Sequence, residues 1–133
     1  MASMWTYVQA TGRLLHDGTL IGLAYSGRAE GHNNPDYQQV INSGPIPRGF
    51  YTIAPARDLA GGPHGPYVLP LEPDEDNLMF GRGGFLIHGD SIQAPGTASH
   101  GCIIAARVLR EQIGKSLDRR LCVVKEDPTE VVA

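Results

Sequence analysis

The stretch "ASHGCIIAAR", residues 98 to 107, follows closely on "FLIHGDS" at 85 to 91, and how it is read decides the fold. A cysteine stands between Gly101 and a pair of isoleucines, fourteen positions after a histidine that ends an apolar run. Read forward, Ile103, Ala106, Leu109, Arg110 and Ile113 recur at offsets of three and four, which predicts the chain's one main helix, with Gly114 as its stop. Cys102 is then at or near a helix N-terminus. Read backward, Phe85, Leu86 and Ile87 predict a short strand that delivers His88 at its end.

Outward from this segment the chain reads as strands and turns. "MWTYVQATGRLLHDGTLIGLAYSG" alternates apolar and polar residues, and its Asp17-Gly18 supplies a tight hairpin turn. "RAEGHNNPDYQQVINSG" (28 to 44) is polar and aperiodic, an ordered loop over one sheet face. In "GPIPRGFYTIAPA" (44 to 56) two prolines stop a helix and a strand follows from Phe50. Further strands are expected around Tyr67 to Leu71 and in "RRLCVVKE" (119 to 126). The acidic run "EPDEDN" (72 to 77) reads as a solvated loop.

Composition agrees with a β-rich α+β domain occupying residues 1 to 133, with its core at about 5 to 124 and a tail from 125 that can fray. The 17 glycines and 10 prolines point to many turns, while 41% hydrophobic residues suffice for a core. A net charge of −3 supplies no basic field for nucleic acid. No run is long enough for a membrane span, and "MASMWTYVQ" lacks the features of a Sec signal. Cys122 falls in a strand, where a buried thiol is the common outcome, so Cys102 is left free. His16, His32 and His64 lie in turn-rich segments and read as solvated; with only scattered histidines, no metal and no cofactor is expected.

The chemistry then turns on Cys102, either a nucleophile or a small hydrophobe in a core. Three members of Ser-His-Gly-Cys have no reason to sit in a core. A helix N-terminus and the rings of His88 and His100 would each lower the thiol pKa. Gly101 permits close backbone approach, its amide and that of Cys102 can form an oxyanion hole, and Ser99 can orient an imidazole or a peptide. Cysteine nucleophile, histidine base and backbone donors together fit acyl transfer.

"GPIPRGFYTI" (44 to 53), "FLIHGDS" (85 to 91) and "ASHGCII" (98 to 104) together resemble the L,D-transpeptidase catalytic domain, over roughly residues 5 to 124. The compact branch delivered by type VI secretion is the nearer likeness, through "ATGRLLHDGTLIGLAYSG" and "GPIPRGFYTI". The resemblance implies a β-sandwich or barrel in which Cys102 attacks the diaminopimelate carbonyl of a peptidoglycan stem tetrapeptide and expels D-Ala. His88 is the implied base, oriented by the Gly89 carbonyl or by Ser99, with His100 lining the site. Water or a D-amino acid then resolves the thioacyl enzyme.

The interval from His88 to Cys102 is shorter than the family's usual one, and Ile104 stands where an Asn or Arg is common, which favours trimming or exchange over cross-linking. Arg82 and Arg107 are candidate partners for a substrate carboxylate or else surface arginines. Asp90 either receives the diaminopimelate amine or caps a turn. Delivery to a target periplasm by a type VI machine, with an immunity protein in the producer, is what the likeness implies for partners and location. Two other readings are an inactive wall-binding module and a papain-like amidase, the latter with the opposite order of Cys and His.

Overall fold

The computed structural model describes residues 3 to 59 and 65 to 127. Strands β1 (Trp5–Val8), β2 (Arg13–His16) and β3 (Thr19–Leu23) form an antiparallel meander at the N-terminus. Asp17 and Gly18 both take positive φ in the β2–β3 turn, as an Asp-Gly hairpin requires. There follow β4 (Tyr25–Ser26), β5 (Gly49–Ile53), β6 (Arg57–Leu59), β7 (Gly65–Pro73), β8 (Leu86–His88), β9 (Ile103–Ile104), the helix α1 (Arg107–Lys115) and β10 (Arg120–Val124). Residues 28 to 44 form the expected ordered loop, with two short 3-10 turns at Ala29–Gly31 and Pro35–Tyr37.

The strands run in the order β3-β2-β1-β10-β5-β7-β8-β9-β4, with β6 attached to β7. Its two ends, β3 and β4, are separated in the chain by Ala24 alone, so the sheet comes round on itself as a nearly closed barrel. Closure of this kind removes exposed edges. The C-terminal β10 runs parallel to β1 and antiparallel to β5, joining the meander to the rest. Its Leu121 lies between Trp5 and Tyr51, and all three are buried among Tyr7, Leu69 and Ile87.

The helix departs from its sequence-based boundaries. Ile103 and Ile104 are extended, paired with Ile87 and His88 on one side and with Ser26 and Tyr25 on the other. Two β-branched residues with a strand on each side are stabilised by sheet partners that outweigh the weak helical period. Leu109, Arg110 and Ile113 keep the inward face of α1 as expected. Gly114 lies within the helix rather than beyond it; a Cβ there would come within 2.3 Å of the Tyr67 hydroxyl, so glycine lets β7 approach.

Other readings also shift. His16 is half-buried, stacks on Trp5 at 4.1 Å and meets Asp118 at 2.6 Å, because β2 places it beside the strand end rather than in the turn. Within "EPDEDN", Asp74 grips Arg120 through both carboxylate oxygens, and the Asn77 amide bonds the backbone N–H and C=O of Phe50. Cys122 lies in β10 as expected but is half-buried, since it alternates with the inward Leu121 and Val123. His64 and most of the expected tail lie outside the described residues, whereas Asp127 is buried and paired with Arg13.

Leu121 is 1% exposed at the centre of the sheet and Ile92 97% exposed on a loop. Leu121→Ala is therefore expected to lower unfolding free energy by about 2–5 kcal/mol, and Ile92→Ala by less than about 0.5 kcal/mol, as read by urea denaturation.

Candidate active site

The parallel register of β8 and β9 sets Ile87 beside Ile103 and His88 beside Ile104. Carried one step back, it sets Cys102 beside Leu86, whose N–H donates to the sulfur at 3.3 Å. Side chains alternate along a strand, so Leu86 and His88 share a face of β8, and Cys102, in the bend that leads into β9, comes beside Leu86. Sulfur and imidazole accordingly line one small pocket of ≈ 320 Å³, with Gly83, Gly84, Phe85 and His100 around them. Both histidines also line a larger groove of ≈ 1210 Å³ walled by Tyr25, Asp90, Arg107 and Arg110.

The imidazole of His88 is buried and its Nδ1 lies 2.8 Å from the Gly89 carbonyl. A carbonyl can only accept, so Nδ1 carries the proton and, in the neutral ring, Nε2 keeps the basic lone pair. Of the two orienting groups expected from sequence, the Gly89 carbonyl therefore meets the ring. Ser99 has another task. Its hydroxyl accepts the amides of Gly27 and Gly101 at 2.8 and 3.1 Å and donates to the Cys102 carbonyl at 2.6 Å. That closes the turn presenting the cysteine, and it corrects the oxyanion expectation: the Gly101 amide is engaged, which leaves the Cys102 amide as the candidate donor.

Electrostatics differ from the expected form as well. Because β9 intervenes between Cys102 and α1, which begins at Arg107, the cysteine does not sit at the helix N-terminus. Burial pushes the Cys102 thiol above its ordinary range, and the Leu86 N–H and the Arg82 cation only partly oppose that. Arg82 is itself buried, with its fork donating to the carbonyls of Gln38, Pro45, Gly44 and His100, and so is neither a surface arginine nor free to clamp a substrate carboxylate. His100 is exposed, and its Nε2 accepts from Arg28 at 3.4 Å.

Along the larger groove, Asp90 accepts from the Tyr25 hydroxyl at 2.6 Å and from the amides of Ser91 and Gly96. Burial works to raise its pKa, yet these bonds and the nearby His88 outweigh it and hold the carboxylate below its usual range. Turn capping is thus its visible role. Arg107 pairs with Glu111 at 2.9 Å and lies over the Tyr67 ring. Arg110 was read from sequence only as a helix-face residue; its buried guanidinium donates to Ala105, Pro66 and Tyr67 carbonyls and reaches the groove beside Gly89. Ser26 was also missed: its hydroxyl accepts the Ile46 amide and donates to the Gly101 carbonyl. Neither role has a signal in spacing, since every partner except Ala105 is far away in the chain.

The Tlde1 domain matches residues 22–125, most of the chain and all of the site just described. The chain belongs to the Tlde1-domain family. This is the family of type VI L,D-transpeptidase effectors. Among solved structures, an L,D-transpeptidase from Mycobacterium smegmatis is similar at 18% identity and TM-score 0.47, over 91% of this chain and 58% of that one. The Tlde1-domain chain thus spans under two thirds of that protein's length. A search of curated proteins gave no match. Among the described residues, the grouping able to offer three metal-ligating atoms is His16, Asp17 and Asp118, outside the residues that line either cavity.

Two measurements follow from this geometry. Ser99→Ala leaves two buried amides without their acceptor, and is expected to cost about 2–5 kcal/mol of stability in chemical denaturation. Because burial disfavours the thiolate, iodoacetamide labelling of Cys102 in the free protein should keep rising with pH beyond the ordinary thiol value of about 8.5, as peptide mass spectrometry can follow.

Proposed function

We propose that the protein is a cysteine L,D-carboxypeptidase or L,D-transpeptidase acting on peptidoglycan stem tetrapeptides. The observation that carries this is a sulfur just before β9 and an imidazole at the end of β8 lining one pocket, with the ring held by Gly89 in the tautomer a general base requires. His88 Nε2 takes the thiol proton as Cys102 attacks the diaminopimelate carbonyl. The Cys102 amide meets the developing oxyanion. Collapse breaks the bond to D-Ala, and the imidazolium returns its proton to the leaving amine. Water or a D-amino acid then enters from the larger groove, which His88 also lines, loses a proton to the ring as it attacks the thioester carbonyl, and the C–S bond breaks, the imidazolium returning its proton to the Cys102 sulfur.

A thiol whose pKa is raised suits this order of events. Proton transfer to His88 accompanies attack, rather than preceding it as a standing ion pair. Arg107 and Asp90, at the groove wall, are the proposed contacts for the carboxylate and amine of the stem peptide. Delivery by a type VI machine into a target periplasm, with an immunity protein in the producer, belongs to the same proposal.

Incubation with purified muropeptides should convert tetrapeptides to tripeptides, or to exchanged products when a D-amino acid is added, as read by mass spectrometry. Cys102→Ala should abolish conversion and His88→Gln should lower kcat by about 10²–10⁴-fold. Intact tetrapeptides with the native protein, or equal conversion by Cys102→Ala, would sink the assignment. The raised thiol pKa also favours a second reading, an inactive wall-binding module. That reading requires retention on sacculi with every muropeptide mass unchanged.

A further inference from the structure

We propose that Arg82 is the positioning residue of the nucleophile: its buried guanidinium supports the turn from Ser99 to Cys102 and sets the reactivity of the Cys102 sulfur. The functional meaning rests on Cys102 being the nucleophile, but the coupling itself is measurable without substrate. Arg82 is 9% exposed. Its NH1 donates to the Gln38 and Pro45 carbonyls at 2.6 and 2.8 Å, and its NH2 to those of Gly44 and His100 at 2.9 and 3.2 Å. One planar fork thus ties the far end of the 28 to 44 loop to the residue two before the cysteine. A lysine ammonium, a point charge on a flexible stem, cannot span those acceptors together.

The neutral carbonyls orient the cation without cancelling it. Among the described residues, the ion pairs do not include Arg82. Burying an arginine is costly, and apolar side chains of similar volume often replace such a group without loss of stability. Its field reaches two acidic groups, the Tyr51 hydroxyl first and the Cys102 sulfur second, and the effect on the sulfur is mutual: Arg82 favours the Cys102 thiolate, and the thiolate favours the charged Arg82. The other titratable groups facing the pair are Tyr51, kept neutral by burial, and His88 and His100 in the wall of the small pocket.

Gly101 completes the arrangement. Its φ is +133°, and a Cβ there would stand 2.5 Å from Arg82 NH2 and 2.7 Å from the Phe85 ring. Glycine before the cysteine is therefore the condition for the guanidinium to lie against the turn. Phe85, over which Arg82 sits at 5.3 Å, lines the same pocket as the sulfur.

The test is the pH profile of iodoacetamide labelling at Cys102, resolved by peptide mass spectrometry, in Arg82→Met, Arg82→Lys and Gly101→Ala, with circular dichroism to establish folding. Arg82→Met should move the labelling midpoint up by about one pH unit, roughly a tenfold loss of rate at neutral pH, with a smaller shift in Arg82→Lys. Gly101→Ala, which keeps the arginine but displaces it, should shift the midpoint in the same direction. Cys122 in the same digests should be unchanged. A folded Arg82→Met with the native midpoint overturns the proposal; where that variant does not fold, native midpoints in the other two overturn it. Muropeptide turnover by the native protein separates the claims. Turnover with an unshifted profile defeats the role of Arg82 alone, and a shifted profile without turnover defeats the enzymatic reading alone.

Discussion

The Ser99 hydroxyl holds together two chain segments that the sequence keeps far apart. It accepts the Gly27 amide from the start of the long loop and the Gly101 amide from its own turn, and it donates to the carbonyl of Cys102. Ser26 adds a second buried hydroxyl against the Gly101 carbonyl, and Arg82 a guanidinium against that of His100. A turn so short has no secondary structure to satisfy its polar groups. Buried amides and carbonyls must find partners, so side chains from β4 and from the segment before β8 provide them. The position of the sulfur is a result of that satisfaction.

From this constraint the chemistry follows in order. The sulfur is fixed beside Leu86, its acidity suppressed by burial, and the imidazole two residues further along β8 is fixed by Gly89. Strand β8 gives the imidazole its position and the braced turn before β9 gives the sulfur its own, while the mouth of the site is left to loops with glycines at 83 and 84 and to the exposed His100. A base aligned in advance and a thiol that ionises only on demand would keep a reactive sulfur quiet until a carbonyl is in place.

Much of this was legible from residue order. Alternation and the Asp17-Gly18 turn foretold the meander, and the apolar run before His88 foretold a strand end. The Ser-His-Gly-Cys string pointed to a segment that lines a cavity with His88, but not to what each of its members touches. From sequence Ser99 reads as a group that orients an imidazole or a peptide, and Arg82 as a carboxylate partner or a surface arginine. Their actual partners are backbone atoms in distant segments, and no local pattern encodes such pairs. The helix start was misplaced for a related reason: Ile103 and Ile104 satisfy a helical period, yet strands on both sides claim them. Local preference yields where tertiary pairing is available.

Acylation of one named sulfur is the claim on which the enzymatic reading turns, and a rapid acid quench of the native protein with an excess of stem tetrapeptide measures it directly. Intact and peptide mass spectrometry should show a population heavier by the donor less one D-alanine, with the added mass on the peptide that carries Cys102. Tetrapeptide consumption with no such adduct, or with the adduct on Cys122 or another residue, would contradict it.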